Sequence, residues 1–195
     1  TRLMAQSAAS VLALEGDATQ LAANRAAAAP ANIRFEYGGA EAIPAADDSI
    51  DIVTMFKSLH HVPTDLMDAA LAEIRRVLKP GGLAYISEPV YAGDFNELLR
   101  LFHDERAVRE AAFAAEQKAL ATGRLALVRQ TFFLQPMHFE DFAQYEARIL
   151  KVTHTDHRLS PDLLETVRAK FAAHMTPDGA TFHMPIRVDL LRKAA

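Results

Sequence analysis

The chain has no cysteine. That excludes disulfides, thiolate metal sites and a cysteine nucleophile. No apolar run approaches the roughly 20 residues needed to cross a bilayer, and the N-terminus lacks the charged-then-apolar pattern of a signal peptide. Basic residues are not in excess: 21 Lys and Arg face 25 Asp and Glu, for a net charge of -4. A surface built for phosphate backbones normally carries a basic surplus, so nucleic acid is not an expected partner. No Gly-x-Gly triplet occurs, and the chain opens on Thr1 with a helical pattern over residues 2–9 rather than a strand. It therefore reads as a fragment. A cytoplasmic protein without membrane contact is the expectation.

Half of the 195 residues are hydrophobic and 24% are charged, enough for one sizeable core and too few residues for two comfortable domains. Strand-like and helix-like segments alternate over the first two thirds, which predicts an α/β layer fold. Residues 10–14 form a short apolar run, read as a buried parallel strand. A helix follows over 17–29, closed by Pro30, and residues 33–37 and 50–56 read as strands. Thr64 is placed to cap the next helix, with acidic Asp65 and Asp68 at its start and Arg75, Arg76 and Lys79 near its end. Met67, Ala70, Leu71, Ile74 and Leu78 recur at helical spacing, and Pro80-Gly81-Gly82 stops the helix before a strand over 83–87. Residues 95–121 are helical, with room for a break, and heavily apolar. Such a stretch covers the domain's own core, an active site or a partner. Residues 145–154 read as a strand. Ser160-Pro161-Asp162 starts a helix, and alternation over 182–190 gives a last half-buried strand.

Three segments in order resemble the class I S-adenosylmethionine-dependent methyltransferases. SVLALEGD is similar to the family's second strand with its terminal acid. GGAEAIPAADDSIDIVTMFKSLHHV is similar to the adenine turn, the fourth strand and a Leu-His-His ending. ALAEIRRVLKPGGLAYISEP is similar to the following helix, Lys-Pro-Gly-Gly turn and fifth strand. The resemblance covers about eighty residues, from Ser10 to Val90. It implies a doubly wound, Rossmann-like, mostly parallel α/β sheet with a C-terminal antiparallel hairpin, in one N-terminally incomplete domain over 1–195. A helical cover and substrate region is expected within it over 95–140. Three departures stand out. The first strand and its glycine loop are missing, Gly39 stands where members often carry Asp, and Pro185 interrupts a last strand flanked on both sides. Proline cannot donate to a ladder, so a bulge or shifted pairing is expected there.

The resemblance also implies site residues. Glu15, with Gly16 and Asp17, would hold the cofactor ribose. Gly39, Ala40 and Glu41 would form the adenine turn, with Ile43 as an apolar edge. Phe56 and Lys57 would line the methionine end. Glu15 and Lys57 each also read as solvated groups at a strand end. His60 and His61 are candidate catalytic bases, since histidine titrates near neutrality; capping and packing are the alternative roles. Glu88 and Tyr91 follow the fifth strand at the carboxyl edge, where open α/β sheets bind ligands. They are substrate-side candidates, with Phe102 and Phe113 from the cover. His154 and His157 have an H-x-x-H spacing without supporting carboxylates and read as turn histidines, so no metal is expected. The implied reaction is methyl transfer from S-adenosylmethionine to a small-molecule acceptor. A non-catalytic methyltransferase-like binding domain, a nucleotide-dependent oxidoreductase and a homodimer all remain open.

Overall fold

The computed structural model describes residues 1–151, 157 and 159–194. It opens on a single 3-10 turn, Met4–Gln6, in place of the helix expected over 2–9. Strand β1 (Val11–Glu15) runs parallel to β2 (Ile33–Tyr37). Between them lies α1 (Ala18–Ala26), capped by Asp17, whose side chain accepts hydrogen bonds from the N–H groups of Thr19 and Gln20. Every residue of β1 is only half-buried, not buried as expected. The cause is pairing on one edge alone: β1 and β2 form a two-stranded sheet of their own.

The main sheet holds β3 (Ile50–Phe56), β4 (Leu78–Pro89), β5 (Leu125–Phe139), β6 (Met175–Thr176) and β7 (Gly179–Lys193), in the order β3-β4-β7-β5 with β6 on β7. The β3–β4 pair is parallel, and β7 is antiparallel to β4, β5 and β6. Parallel pairs followed by antiparallel C-terminal strands give the Rossmann-like fold class expected. A residue and its neighbour in a strand point to opposite faces, and β4 shows this directly. Ala84 and Ile86 join a core with Met55, Leu59, Met67, Leu71, Ile74 and Leu191, while Tyr85 packs on the second core. That second core is aromatic, built from Phe95, Phe139, Phe142, Tyr145, Phe171 and Phe182. The edges are less well covered. Ile52 and Phe56 of β3 are 53% and 55% exposed, and Phe132, Phe133 and Leu134 of edge strand β5 are exposed as well.

Several local expectations are corrected. Helix α2 (Met67–Val77) starts after Leu66 with no side-chain cap, so Thr64 does not cap it. The helix ends before Leu78, which instead starts β4 opposite Ile50. Pro80 disfavours helical geometry in the residue before it, so the Lys-Pro-Gly-Gly turn lies inside the strand and does not follow the helix. The apolar stretch splits into α3 (Asp94–Leu99) and α4 (Arg106–Ala121). The expected cover over 95–140 ends there as helix, because Leu125–Phe139 is strand β5. Residues 145–150 are helical, in α5 (Phe142–Tyr145) and a π-helical turn Glu146–Leu150; the rest of the expected strand, 152–154, lies outside the described residues. Helix α6 (Pro161–Ala172) starts as expected, with Ser160 accepting from the Leu163 N–H. Pro185 needs no bulge. Its ring sits just past the last β4 pair, Pro89 with Ile186, and its carbonyl accepts from Val90 beyond the strand end, while pairing with β5 runs unbroken through Leu134.

Candidate active site

The carboxyl ends of parallel strands β3 and β4 meet the start of α4, and a group of charged side chains gathers there. After β3 the chain turns through Lys57, whose φ of 52° lies in the left-handed region that few non-glycine residues enter. Its N–H is tied to the Ser87 carbonyl at 2.7 Å. A 3-10 turn, Leu59–His61, follows. Buried Glu88, near the end of β4, closes this turn. Its Oε1 accepts from the N–H groups of Ser58 (3.0 Å) and Leu59 (2.8 Å), and its Oε2 is hydrogen-bonded to Nδ1 of buried His60.

Across from His60 lies Glu105, the residue before α4. Its Oε1 is 3.8 Å from His60 Nε2 and 3.1 Å from His103 Nε2, and its Oε2 accepts from Arg109 Nη2 at 2.5 Å. Arg109 is itself buried, one turn along α4, and also donates to Asn96 Oδ1 at 3.1 Å and to the Val90 carbonyl at 3.3 Å. Burial alone would raise the Glu105 pKa, but the hydrogen bond and charge of Arg109 outweigh it and hold the carboxyl below its usual range. The His61 ring packs against that of His60 in a tilted arrangement, with centroids 4.1 Å apart. Desolvation of the part of the ring packed against its neighbours, then the nearby His60, lowers its pKa against the opposing pull of Glu105 and Glu88, although the residue as a whole stays exposed. Desolvation, then Arg109, also lowers the pKa of Lys57, whose Nζ donates to Gln135 Oε1 at 3.3 Å.

The sequence-predicted residues therefore fall into groups. His60, His61 and Glu88 are brought together, and Lys57 is near enough to feel the charge of Arg109. Glu105, Arg109, Asn96 and His103 belong to the same network and were missed. Tyr91 is half-buried under the Arg106 guanidinium at 4.4 Å. Phe102 packs on the aromatic core and meets the His157 ring edge-on at 5.1 Å. Phe113 is exposed and carries Arg187 over its face at 4.0 Å. His157 also meets His103 at 5.0 Å, so it is more than a turn residue; His154 lies outside the described residues. Phe56 lines an apolar hollow of about 310 Å³ with Met4, Ile52, Thr54, Leu83 and Tyr85, apart from the histidines.

The second group sits at the carboxyl ends of β1 and β2. Glu15 Oε1 accepts from the Asp17 N–H at 3.1 Å, and its other oxygen has no hydrogen-bond partner among the described residues. Gly16 is exposed, and a Cβ on it would meet nothing within 4 Å. Gly38, in the turn after β2, donates to the Glu15 carbonyl at 3.2 Å. Ala40 and Ile43 pack on the core beside α2. The Glu41 carboxylate folds across Gly39, within 2.2 Å of where a Cβ would be. A strand-end acid beside open space offers acceptors that fit a pair of hydroxyl groups such as those of a ribose.

A family model described as a methyltransferase domain matches residues 1–86. Over these residues the chain is similar to the S-adenosylmethionine-dependent methyltransferases. It is 30% identical over 139 residues to the uncharacterized methyltransferase YcgJ of Bacillus subtilis, covering 65% of this chain and 53% of that protein. It is 38% identical over 78 residues to the ubiquinone/menaquinone biosynthesis C-methyltransferase UbiE of Marinomonas, covering 40% of this chain and 30% of that one. The chain thus spans about half the length of YcgJ and less of UbiE. The fold agrees with the crystal structure of YcgJ at a TM-score of 0.61, with 19% identity over 95% of this chain and 83% of that one. It agrees with BH2331 of Bacillus halodurans at 0.64, with 16% identity over 100% and 87%. The family implies S-adenosylmethionine as methyl donor. No helix among the described residues is long and apolar enough to cross a membrane.

Proposed function

We propose that the whole protein transfers a methyl group from S-adenosylmethionine to a small-molecule acceptor. The observation that carries this is Glu15, a strand-end carboxylate with one oxygen free, beside the Gly38–Ala40 turn. Glu15 would take the ribose hydroxyls, and the turn with Ile43 would face the adenine. The cofactor supplies a methyl group already activated by its sulfonium charge. The protein's main task is then to align nucleophile and methyl, which alone removes a large part of the barrier.

The acceptor side of this reading is the His60–Glu88 group at the ends of β3 and β4. A base is needed only for a nucleophile that arrives protonated. Exposed His61, its pKa lowered, would take that proton. Glu88 fixes His60, and the His60 ring packs against that of His61.

Calorimetry with S-adenosylmethionine on the whole protein tests the reading. A micromolar dissociation constant, roughly -8 kcal/mol, is expected, with S-adenosylhomocysteine of similar affinity. Absence of binding by both would sink it.

A further inference from the structure

His60 presents an unusual face to Glu105. With Nδ1 engaged by Glu88 Oε2, the other ring nitrogen, Nε2, looks at Glu105 Oε1 across 3.8 Å. That exceeds hydrogen-bonding distance. An imidazole that gives its Nδ1 proton to a carboxylate has a lone pair on Nε2. Glu105 Oε1 already meets His103 Nε2 at 3.1 Å, and the 3.8 Å between it and the His60 lone pair, in a largely buried setting, leaves room for a cation that both atoms would ligate. One nitrogen of His61 joins them: the three ligand atoms of His60, His61 and Glu105 all lie within 4.8 Å of one another.

We propose that His60 Nε2, His61 and Glu105 bind one divalent first-row transition-metal ion of the zinc class. Two imidazoles and one carboxylate are a donor set for such ions, whereas magnesium and calcium prefer oxygen alone. Glu88 would be its outer partner. A carboxylate on the far nitrogen of a ligating histidine fixes the tautomer and aims the ring, and Glu88 is itself held by two backbone N–H groups. Bonds of about 2.0–2.2 Å would draw the three ligand atoms closer by about an ångström. His60 is buried and pinned, so the movement falls to exposed His61 and to the Glu105 side chain. The exposure of His61 leaves the remaining coordination positions open to an incoming acceptor oxygen or water. The site goes beyond methyl transfer: an acceptor oxygen bound there would be ionised by the metal, and His61 would act as ligand in place of base.

Cobalt(II) titration of the full chain reads the site without any cofactor, so failure of S-adenosylmethionine binding and failure of metal binding are seen separately. One equivalent of cobalt is expected, with visible d–d absorption, displaced by zinc. His61→Ala and Glu105→Gln should each weaken cobalt at least tenfold. His138→Ala, at an exposed histidine on β5, should leave it unchanged. His61 is exposed, so its variant should fold, which circular dichroism checks; His61→Gln serves as a second. No d–d absorption with the parent, or equal affinity in the parent and the His61 and Glu105 variants, overturns the proposal.

Discussion

Glu88 Oε2 is hydrogen-bonded to His60 Nδ1 while Glu88 Oε1 accepts the N–H groups of Ser58 and Leu59, so one buried carboxylate ties the end of β4 to the turn that ends β3. Its charge is spread over three donors, which is why it tolerates burial. Glu88→Gln keeps the shape and removes the charge, and turns an acceptor toward His60 into an amide of mixed character. The expected loss of stability is about 1–3 kcal/mol, read as a lower midpoint in urea unfolding. An unchanged midpoint would mean that the tie is incidental.

Glu15 has the opposite character. Among the described residues its carboxylate is bonded only to the backbone of Asp17, two residues on, which leaves it little part in holding the fold. In the whole protein, Glu15→Gln should weaken S-adenosylmethionine and S-adenosylhomocysteine in parallel, by about 1.5–3 kcal/mol, or roughly ten- to a hundredfold. The melting temperature without ligand should hardly move. Calorimetry with both ligands decides, and equal affinities in parent and variant would remove Glu15 from the site.

The contrast shows what the sequence could convey. Ser160-Pro161 as helix start and the alternation of the last strand are local signals, and the structure uses both. The His60, His61 and Glu88 trio was legible because all three sit at strand ends. Glu105, Arg109 and Asn96 were not, because they reach the site only when α3 packs on β7 and α4 packs beside the Leu59–His61 turn. Their one local trace is the Glu105–Arg109 spacing of four, common on any helix. Residues 145–150 were misread for the same reason. Ile149 and Leu150 suit a strand, but Phe142 and Tyr145, spaced one helical turn apart, both enter the aromatic core and set the geometry.

Gly93 controls how the chain leaves β4. Its φ of 89° belongs to glycine, and a Cβ there would lie 2.7 Å from the His183 carbonyl oxygen and 2.7 Å from the Pro185 ring. Backbone and a proline ring have little room to give. Gly93→Ala should therefore destabilise the fold by more than about 1 kcal/mol, seen as a lower thermal midpoint. Because α3 begins at the next residue, the variant should also speed hydrogen exchange in residues 94–99.

Glu116 on α4 gives the protein a pH dependence of its own. It is buried, and its carboxylate lies 3.2 Å from Arg187, which also donates from Nε to Asp189 at 2.5 Å. Burial, reinforced by Asp189 and opposed by Arg187, pushes the Glu116 carboxyl from the ordinary 4.5 up to about 9. The folded state thus keeps a proton that the unfolded chain releases near its ordinary value. Between those two values the folded protein binds more protons, so stability is fully present at the acid end and is lost as pH rises through about 9. Glu116→Gln carries the protonated form's hydrogen-bonding pattern at every pH. The slope of unfolding free energy against pH should therefore be shallower in the variant between about pH 5 and 9. Near pH 9 the variant should equal or exceed the parent in stability, although a buried acid has been removed. Urea unfolding at a series of pH values measures both curves, and parallel slopes would show that Glu116 is ionised throughout and paired with Arg187 as a simple salt bridge.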